Sequence, residues 1–402
     1  MKKLNPYRPG AGLIPKYLAG RDTIIDEMNY TFDALCEDIP IRSIIYSGVR
    51  GVGKTVLLNT LMDNAETRGI YSEYIEMNDN DNFISKLVTI SKKYLRKISV
   101  VERLSDYRNK ALDALKALSL SFDPTNQTYS LSMSERELYT LNNISEGLTD
   151  VFVSLGTIAK KNQTPICYFI DEMQSIKKEE LSGLITAIHR SNQLGLPIMI
   201  VGAGLPKIIS GLSAVKSYSE RLFQYETIEN LPRQEAVKAI TEPAKKYNVS
   251  YEPDVIERII DETEGYPYFI QQLCQILYDS ANNDVISKND LDEVIEKYYD
   301  TLDKGFYLAR YERCSQKQKD FLFAMTMCYN GSCNISSIAK TLNKQTSEIS
   351  TFRAQLISKG IIYPIRYSEL DFTVPKFNDF IKRRSDYTEW QNNQTPQAYN
   401  PA

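Results

Sequence analysis

Residues 48–55 read Gly48-Val49-Arg50-Gly51-Val52-Gly53-Lys54-Thr55 and meet the pattern G-x-x-x-x-G-K-[ST] at every fixed position. Its glycines let the backbone curl so that successive N–H groups face an anion at the positive end of a helix. Lys54 then brings a cation to β- and γ-phosphates, and the Thr55 hydroxyl is a ligand for Mg²⁺. Arg50, Val52 and the following Val56 belong to the same phosphate-lining stretch. A second polar group follows the apolar run Ile166-Cys167-Tyr168-Phe169-Ile170: the carboxylates Asp171 and Glu172. Beside a phosphate loop, Asp171 would hold the Mg²⁺, directly or through water, and Glu172 would orient or deprotonate a water attacking the terminal phosphate. Without that loop the pair would be two acids at a helix N-terminus, where they favour the dipole. The chemistry these residues suit is binding and hydrolysis of ATP with Mg²⁺.

Composition excludes several other chemistries. His189 is the only histidine, which argues against a Ser-His-Asp hydrolase, a His-ligated zinc enzyme and a haem protein. The six cysteines are scattered, and Cys167 and Cys274 lie inside apolar segments, as reduced core thiols do. Cys328 and Cys333 have no neighbouring ligand with which to hold a metal. The 402 residues, 42% hydrophobic and 25% charged, suit two or three globular domains. No long apolar run occurs, so a cytoplasmic protein without a membrane span is expected.

The elements that must position these residues alternate. Ser43–Ser47 reads as a strand before the glycine loop, and Val56, Leu57, Leu58, Leu61 and Met62 as the helix after it. Further strands are expected at Ile70–Ile75, Ile166–Ile170, Pro197–Val201 and Gln224–Ile228. Ile166–Ile170 and Pro197–Val201 are uninterrupted apolar runs, as expected of parallel strands covered on both faces. A doubly wound α/β domain over 23–230 follows, preceded by a linker at 1–22. It carries an insertion at about 79–145, with two helical stretches and then the alternating runs Leu118–Phe122 and Tyr129–Met133, a β-hairpin signature. Residues 231–300 read as a small helical domain broken at Gly265-Tyr266-Pro267. Residues 301–385 read as three helices and two strands, a winged-helix order, and 386–402 as a polar, disordered tail in which Trp390 is incidental.

In this order the chain resembles the AAA+ ATPases of the origin-recognition (initiator) clade and their bacterial and archaeal relatives, which border on the STAND signalling NTPases. The likeness covers roughly 15–385 and rests on Leu18-Ala19-Gly20-Arg21-Asp22, the phosphate loop, Asp171-Glu172, Ser219-Glu220-Arg221-Leu222-Phe223, Gly265-Tyr266-Pro267 and the winged helix. It implies a P-loop AAA+ core with a parallel sheet, a small α-helical lid and a C-terminal winged-helix domain. It makes Gly20 and Arg21 an adenine-side linker. Arg221 becomes either an arginine finger completing a neighbouring subunit's site in a homo-oligomer or a plain surface arginine. Pro267 resembles the STAND proline that touches the base.

Two departures argue for slow turnover. Ile198–Gly204 has no Asn, Thr or Ser where such enzymes place a water-positioning sensor, and the lid turn has no sensor arginine. Gln174 and Arg190 are nearby polar candidates for that role, or solvated helix residues. The C-terminal segment is basic, with 14 Lys/Arg against 7 Asp/Glu over 301–385. Lys344, Arg353 and Arg366, around the second helix of the motif and the wing, are candidates for duplex DNA. A protein-docking winged helix stays open, as does a DNA-facing or partner-docking role for the hairpin. The expectation is an ATP-driven switch coupled to DNA. A STAND-like signalling switch and a nucleotide-locked scaffold are its rivals.

Overall fold

Strands buried along their whole length set the architecture of the N-terminal half. β1 (Ser43–Ser47), β3 (Ile166–Asp171) and β4 (Ile198–Gly204) are buried at every residue, whereas β2 (Tyr71–Glu76) and β5 (Phe223–Thr227) are partly open. All pair in parallel in the order β2-β3-β4-β1-β5. The apolar runs therefore occupy the centre, where helices cover both faces, and the polar-interrupted strands the edges. The computed structural model describes residues 4–10, 12–97, 105–122, 144–366 and 368–394. They cluster into two units, one of residues 21–48 and 53–229, the other of 1–20, 49–52 and 230–402.

In the first unit the helices are α1 (Asp22–Cys36), α2 (Lys54–Thr67), α3 (Phe83–Lys97), α4 (Ser105–Phe122), α5 (Ile144–Lys161), α6 (Lys178–Gln193), α7 (Lys207–Val215) and the short α8 (Ser219–Leu222). Two differences from expectation concern the insertion. Leu118–Phe122 is the end of α4 and not a strand. Ala111, Ala114, Leu115 and Leu118, all buried, carry the i, i+3, i+4, i+7 stripe into that segment, and a short Leu-Ser alternation cannot override a stripe already packed. Leu118 packs so closely on α5 that a Cβ at Gly147 would lie 2.9 Å from it. The second run, Tyr129–Met133, and the turn before it lie outside the described residues.

The second unit holds α9 (Arg233–Lys245), α10 (Pro253–Thr263), α11 (Pro267–Ser280) and α12 (Lys288–Thr301), with the short parallel pair β6 (Ser250–Tyr251) and β7 (Val285–Ile286). A π-helical turn at Leu302–Tyr307 leads into α13 (Leu308–Tyr311). Then come α14 (Gln316–Met327), β8 (Cys333–Asn334), α15 (Ile335–Thr341), α16 (Thr346–Ser358), β9 (Ile362–Arg366) and β10 (Glu369–Phe372), the sheet running β8-β10-β9. This is the winged-helix order. After α17 (Phe377–Lys382), α18 (Ser385–Gln394) replaces the first part of the expected disordered tail. Its polar composition hides an aromatic pair at helical spacing: Tyr387 and Trp390 pack on Phe323, with ring centroids 5.5 and 5.6 Å away. Trp390 is thus a packing residue. Cys328 and Cys333, considered from the sequence only as metal ligands, are joined by a disulfide across a turn with Gly331 at φ +76°. Cys167 and Cys274 are buried free thiols, and burial pushes both up. No helix among the described residues is long and apolar enough to cross a membrane.

Candidate active site

The loop after β1 turns on glycines where no other residue fits. Gly51 (φ +86°) and Gly53 (φ +95°) lie in the left-handed region. Gly53 is the N-cap of α2, so the loop ends at the helix's positive end. The start of the loop is held to the sheet by Gly48 N–H, which donates to the Gly204 carbonyl at the end of β4 (3.1 Å). Lys54, buried, donates to the Gly48 carbonyl (2.9 Å). Val56 faces partly outward on the first turn of α2.

β3 delivers Asp171 to the same place. Thr55 Oγ1 donates to Asp171 Oδ2 at 2.6 Å, and Glu172 N–H donates to Oδ1 at 2.8 Å. The sequence reading missed a third donor, Tyr74 Oη, which meets Oδ2 at 2.9 Å. Tyr74 lies two residues before Glu76, the β2 partner of Asp171, and so on the same face of the sheet. Burial, with the Asp171 carboxylate beside it, pushes the Tyr74 hydroxyl well up and keeps it a donor. Glu172 follows at φ +53°, a left-handed turn that starts the 3-10 segment Met173–Ser175. Gln174 in that segment donates through Nε2 to Glu172 Oε2, and its Oε1 accepts from Leu205 N–H (2.9 Å).

These residues fit Mg-ATP. Two hard oxygens, Thr55 Oγ1 and Asp171 Oδ2, stand at the helix N-terminus beside a lysine, and Mg²⁺ in such sites takes one or two protein oxygens and completes its shell with phosphates and water. Among the described residues no group of three or more His, Cys, Asp or Glu could hold a metal by itself.

The tip of the loop, 49–52, clusters with the second unit. There the Tyr266 hydroxyl donates to the Arg50 carbonyl, and a Cβ at Gly51 would lie 1.9 Å from that hydroxyl. Arg50 Nε is buried and has no hydrogen-bond partner. The Gly265-Tyr266-Pro267 turn is fixed by Leu231, whose N–H donates to the Gly265 carbonyl (2.9 Å), while a Cβ at Gly265 (φ +69°) would lie 2.3 Å from the Leu231 carbonyl oxygen. A Cβ at Gly20 would lie 3.1 Å from Leu231 Cδ2, so Gly20 and Gly265 share one neighbour, and Pro267 is the first residue of α11. Arg310, whose guanidinium lies 3.6 Å from the centre of the Phe306 ring, is held below its usual pKa by burial.

Other expected site residues stand elsewhere. In the first unit, Arg21 is buried and donates to the Glu229 carbonyl (3.0 Å). Arg221 is exposed at the end of α8, immediately before β5. Lys344 and Arg366 are exposed, before α16 and at the end of β9, and Arg353 is half-buried within α16. Arg190 lies on α6, where its guanidinium donates to Gln193 Oε1 (3.2 Å).

Residues 17–201 match the family model of the AAA ATPase domain. The chain carries an AAA ATPase domain. Residues 304–381, after this AAA ATPase domain, match a family described as a domain of unknown function, DUF8462. No curated protein matches the chain in sequence. The chain is similar in fold to the Walker-type ATPase PABY2304 of Pyrococcus abyssi, with a TM-score of 0.55 and 14% identity over 91% of this chain and 96% of that one. Lower scores relate it to Cdc6p of Pyrobaculum aerophilum (TM-score 0.45, 13% identity, 95% and 97% covered) and to the ORC1 protein of Aeropyrum pernix, solved in complex with DNA (0.45, 12%, 94% and 95%).

Proposed function

We propose that the AAA ATPase domain binds Mg-ATP on residues 48–56 and hydrolyses it slowly, and that the nucleotide state governs contacts made by the C-terminal winged helix. The observation that carries this reading is the meeting of Thr55, at the end of the phosphate loop, and Asp171, at the end of β3, at 2.6 Å, beside a buried Lys54. Bound Mg²⁺ neutralises charge on the β- and γ-phosphate oxygens. Lys54 and the loop N–H groups hold the phosphates. Glu172 takes a proton from the attacking water as that oxygen bonds to the γ-phosphorus and the bond to the ADP oxygen breaks. Gly20, Arg21 and Pro267 are assigned to the adenine side, and Arg221, exposed, to a neighbouring subunit's site in a homo-oligomer. Lys344, Arg353 and Arg366 are assigned to duplex DNA.

One observation favours a protein-docking winged helix instead. Glu348 caps α16, accepting from Gln345 N–H at 2.7 Å, and so places a carboxylate at the helix end that would approach phosphates. Phosphate release and nucleotide binding, measured for wild type and Lys54→Ala with and without duplex DNA from about 50 to 200 mM salt, test both readings. Wild type should bind ATP and turn over, Lys54→Ala should do neither, and DNA should stimulate turnover less as salt rises. Retained ATP affinity in Lys54→Ala would remove the phosphate-loop assignment. A rate indifferent to DNA at every salt concentration would give the winged helix to a protein partner.

A further inference from the structure

β4 ends in Gly202-Ala203-Gly204, with no polar side chain to hold an attacking water or its base. The structure shows what occupies that place. A Cβ at Gly202 would lie 2.1 Å from Met173 Sδ, and a Cβ at Gly204 would lie 2.8 Å from Gln174 Oε1. The two glycines thus leave room for consecutive side chains of the turn that follows β3. Gln174 uses that room to bond in both directions, accepting from Leu205 N–H just past β4 and donating to Glu172 Oε2. Its amide is therefore oriented at both ends. The N–H at Leu205 fixes which side of the amide is oxygen, and the NH2 group is left to face the carboxylate.

We propose that Gln174 is the positioning residue for the base of the hydrolytic reaction, supplying from the β3 turn the polar group that β4 lacks. The inference rests on the reading of Glu172 as that base. Glu172 has left-handed backbone geometry and sits beyond the end of a strand, so its side chain would otherwise sample several rotamers. Engaging Oε2 fixes the carboxylate plane. Oε1 has no hydrogen-bond partner among the described residues and is the oxygen left to take the proton from water. The same bonds form a continuous path: Gly48 N–H to the Gly204 carbonyl, Leu205 N–H to Gln174, Gln174 to Glu172, Glu172 N–H to Asp171, and Thr55 to Asp171. The phosphate loop, the metal-side carboxylate and the base are thereby referred to one another through a single amide.

The experiment is ATP turnover by the full chain in wild type, Gln174→Leu, Gln174→Glu, Glu172→Gln and the double variant Glu172→Gln/Gln174→Leu, with nucleotide affinity and thermal melting measured on each. Gln174→Leu should lower kcat by about 10- to 100-fold, less than the roughly 10²- to 10⁴-fold of a lost general base because the base itself remains, with ATP affinity within about twofold, since no ground-state contact is lost. Gln174→Glu keeps the size but sets a carboxylate against Glu172, so the acidic limb of its kcat–pH profile should move to higher pH. The double variant should be no slower than Glu172→Gln, because both changes act through one group. A purely structural glutamine would lower melting temperature and affinity together and leave the pH profile in place, and that result overturns the proposal. So does a Gln174→Leu variant with wild-type kcat. If wild type itself binds ATP and releases no phosphate, the reading of Glu172 as a base fails first, and this inference fails with it.

Discussion

β3 and β4 run side by side in register, Ile166 opposite Ile198 through Ile170 opposite Gly202, yet they end in opposite ways. β3 ends in two carboxylates and a strained turn, whereas β4 ends in glycines. The contrast shows that a strand can contribute to a site by what it omits. At the end of β3 the side chains act on ligands. At the end of β4 the missing Cβ atoms admit side chains from the neighbouring turn, and only backbone groups, the Gly204 carbonyl and Leu205 N–H, do the holding.

The contrast can be broken most severely from the β3 side. Glu172→Gln should lower turnover by about 10² to 10⁴, the usual contribution of a positioned base, with ATP binding retained in a fluorescent-nucleotide titration. An equal loss of binding would mean that Glu172 holds the ligand and not the water. From the β4 side the effect should appear first as stability. Gly202→Ala places a Cβ 2.1 Å from Met173 Sδ and 2.8 Å from Ile45 Cδ1, an overpacking expected to cost about 1–3 kcal/mol in urea or guanidinium unfolding. An unchanged midpoint would show that the Met173 turn yields freely. The smallest effect should come from Gly204→Ala, whose Cβ meets the movable end of Gln174 and the more fixed Ile208 Cβ at 3.3 Å. Turnover should fall by less than the roughly tenfold lower limit set for removing the glutamine, and the melting temperature should change little.

The same contrast marks what the sequence disclosed. The phosphate loop was legible because its function depends on a fixed local spacing, and the central strands because burial on both faces leaves uninterrupted apolar runs. Tyr74 and the bridging role of Gln174 depend on which strands become neighbours, a property of the β2-β3-β4 order that no local window contains. Gln174 was in view as one of two polar candidates, and only the Leu205 N–H distinguishes it from Arg190. The errors have local causes. Leu118–Phe122 shows a two-residue period within a helix-period stripe, and α18 hides Tyr387 and Trp390 in a polar segment. The Cys328–Cys333 bond was missed because the pair was weighed only as metal ligands, without the turn at Gly331 that brings their Cα atoms to 6.0 Å.

Asp171 Oδ2 accepts two hydroxyl hydrogens, from Thr55 and from Tyr74. An oxygen that ligates a cation must turn a lone pair toward it, so the Thr55 hydrogen and the cation compete for one direction. With a cation bound there, Thr55 would work as a rotor with two settings. In one its hydrogen points at Asp171, and in the other that hydrogen swings away while the oxygen stays in place. Tyr74, bonded to the same carboxylate oxygen from the next strand, steadies the negative charge through the swing. On the proposed Mg-ATP reading, arrival of the ion would be registered by the turn of a single hydrogen.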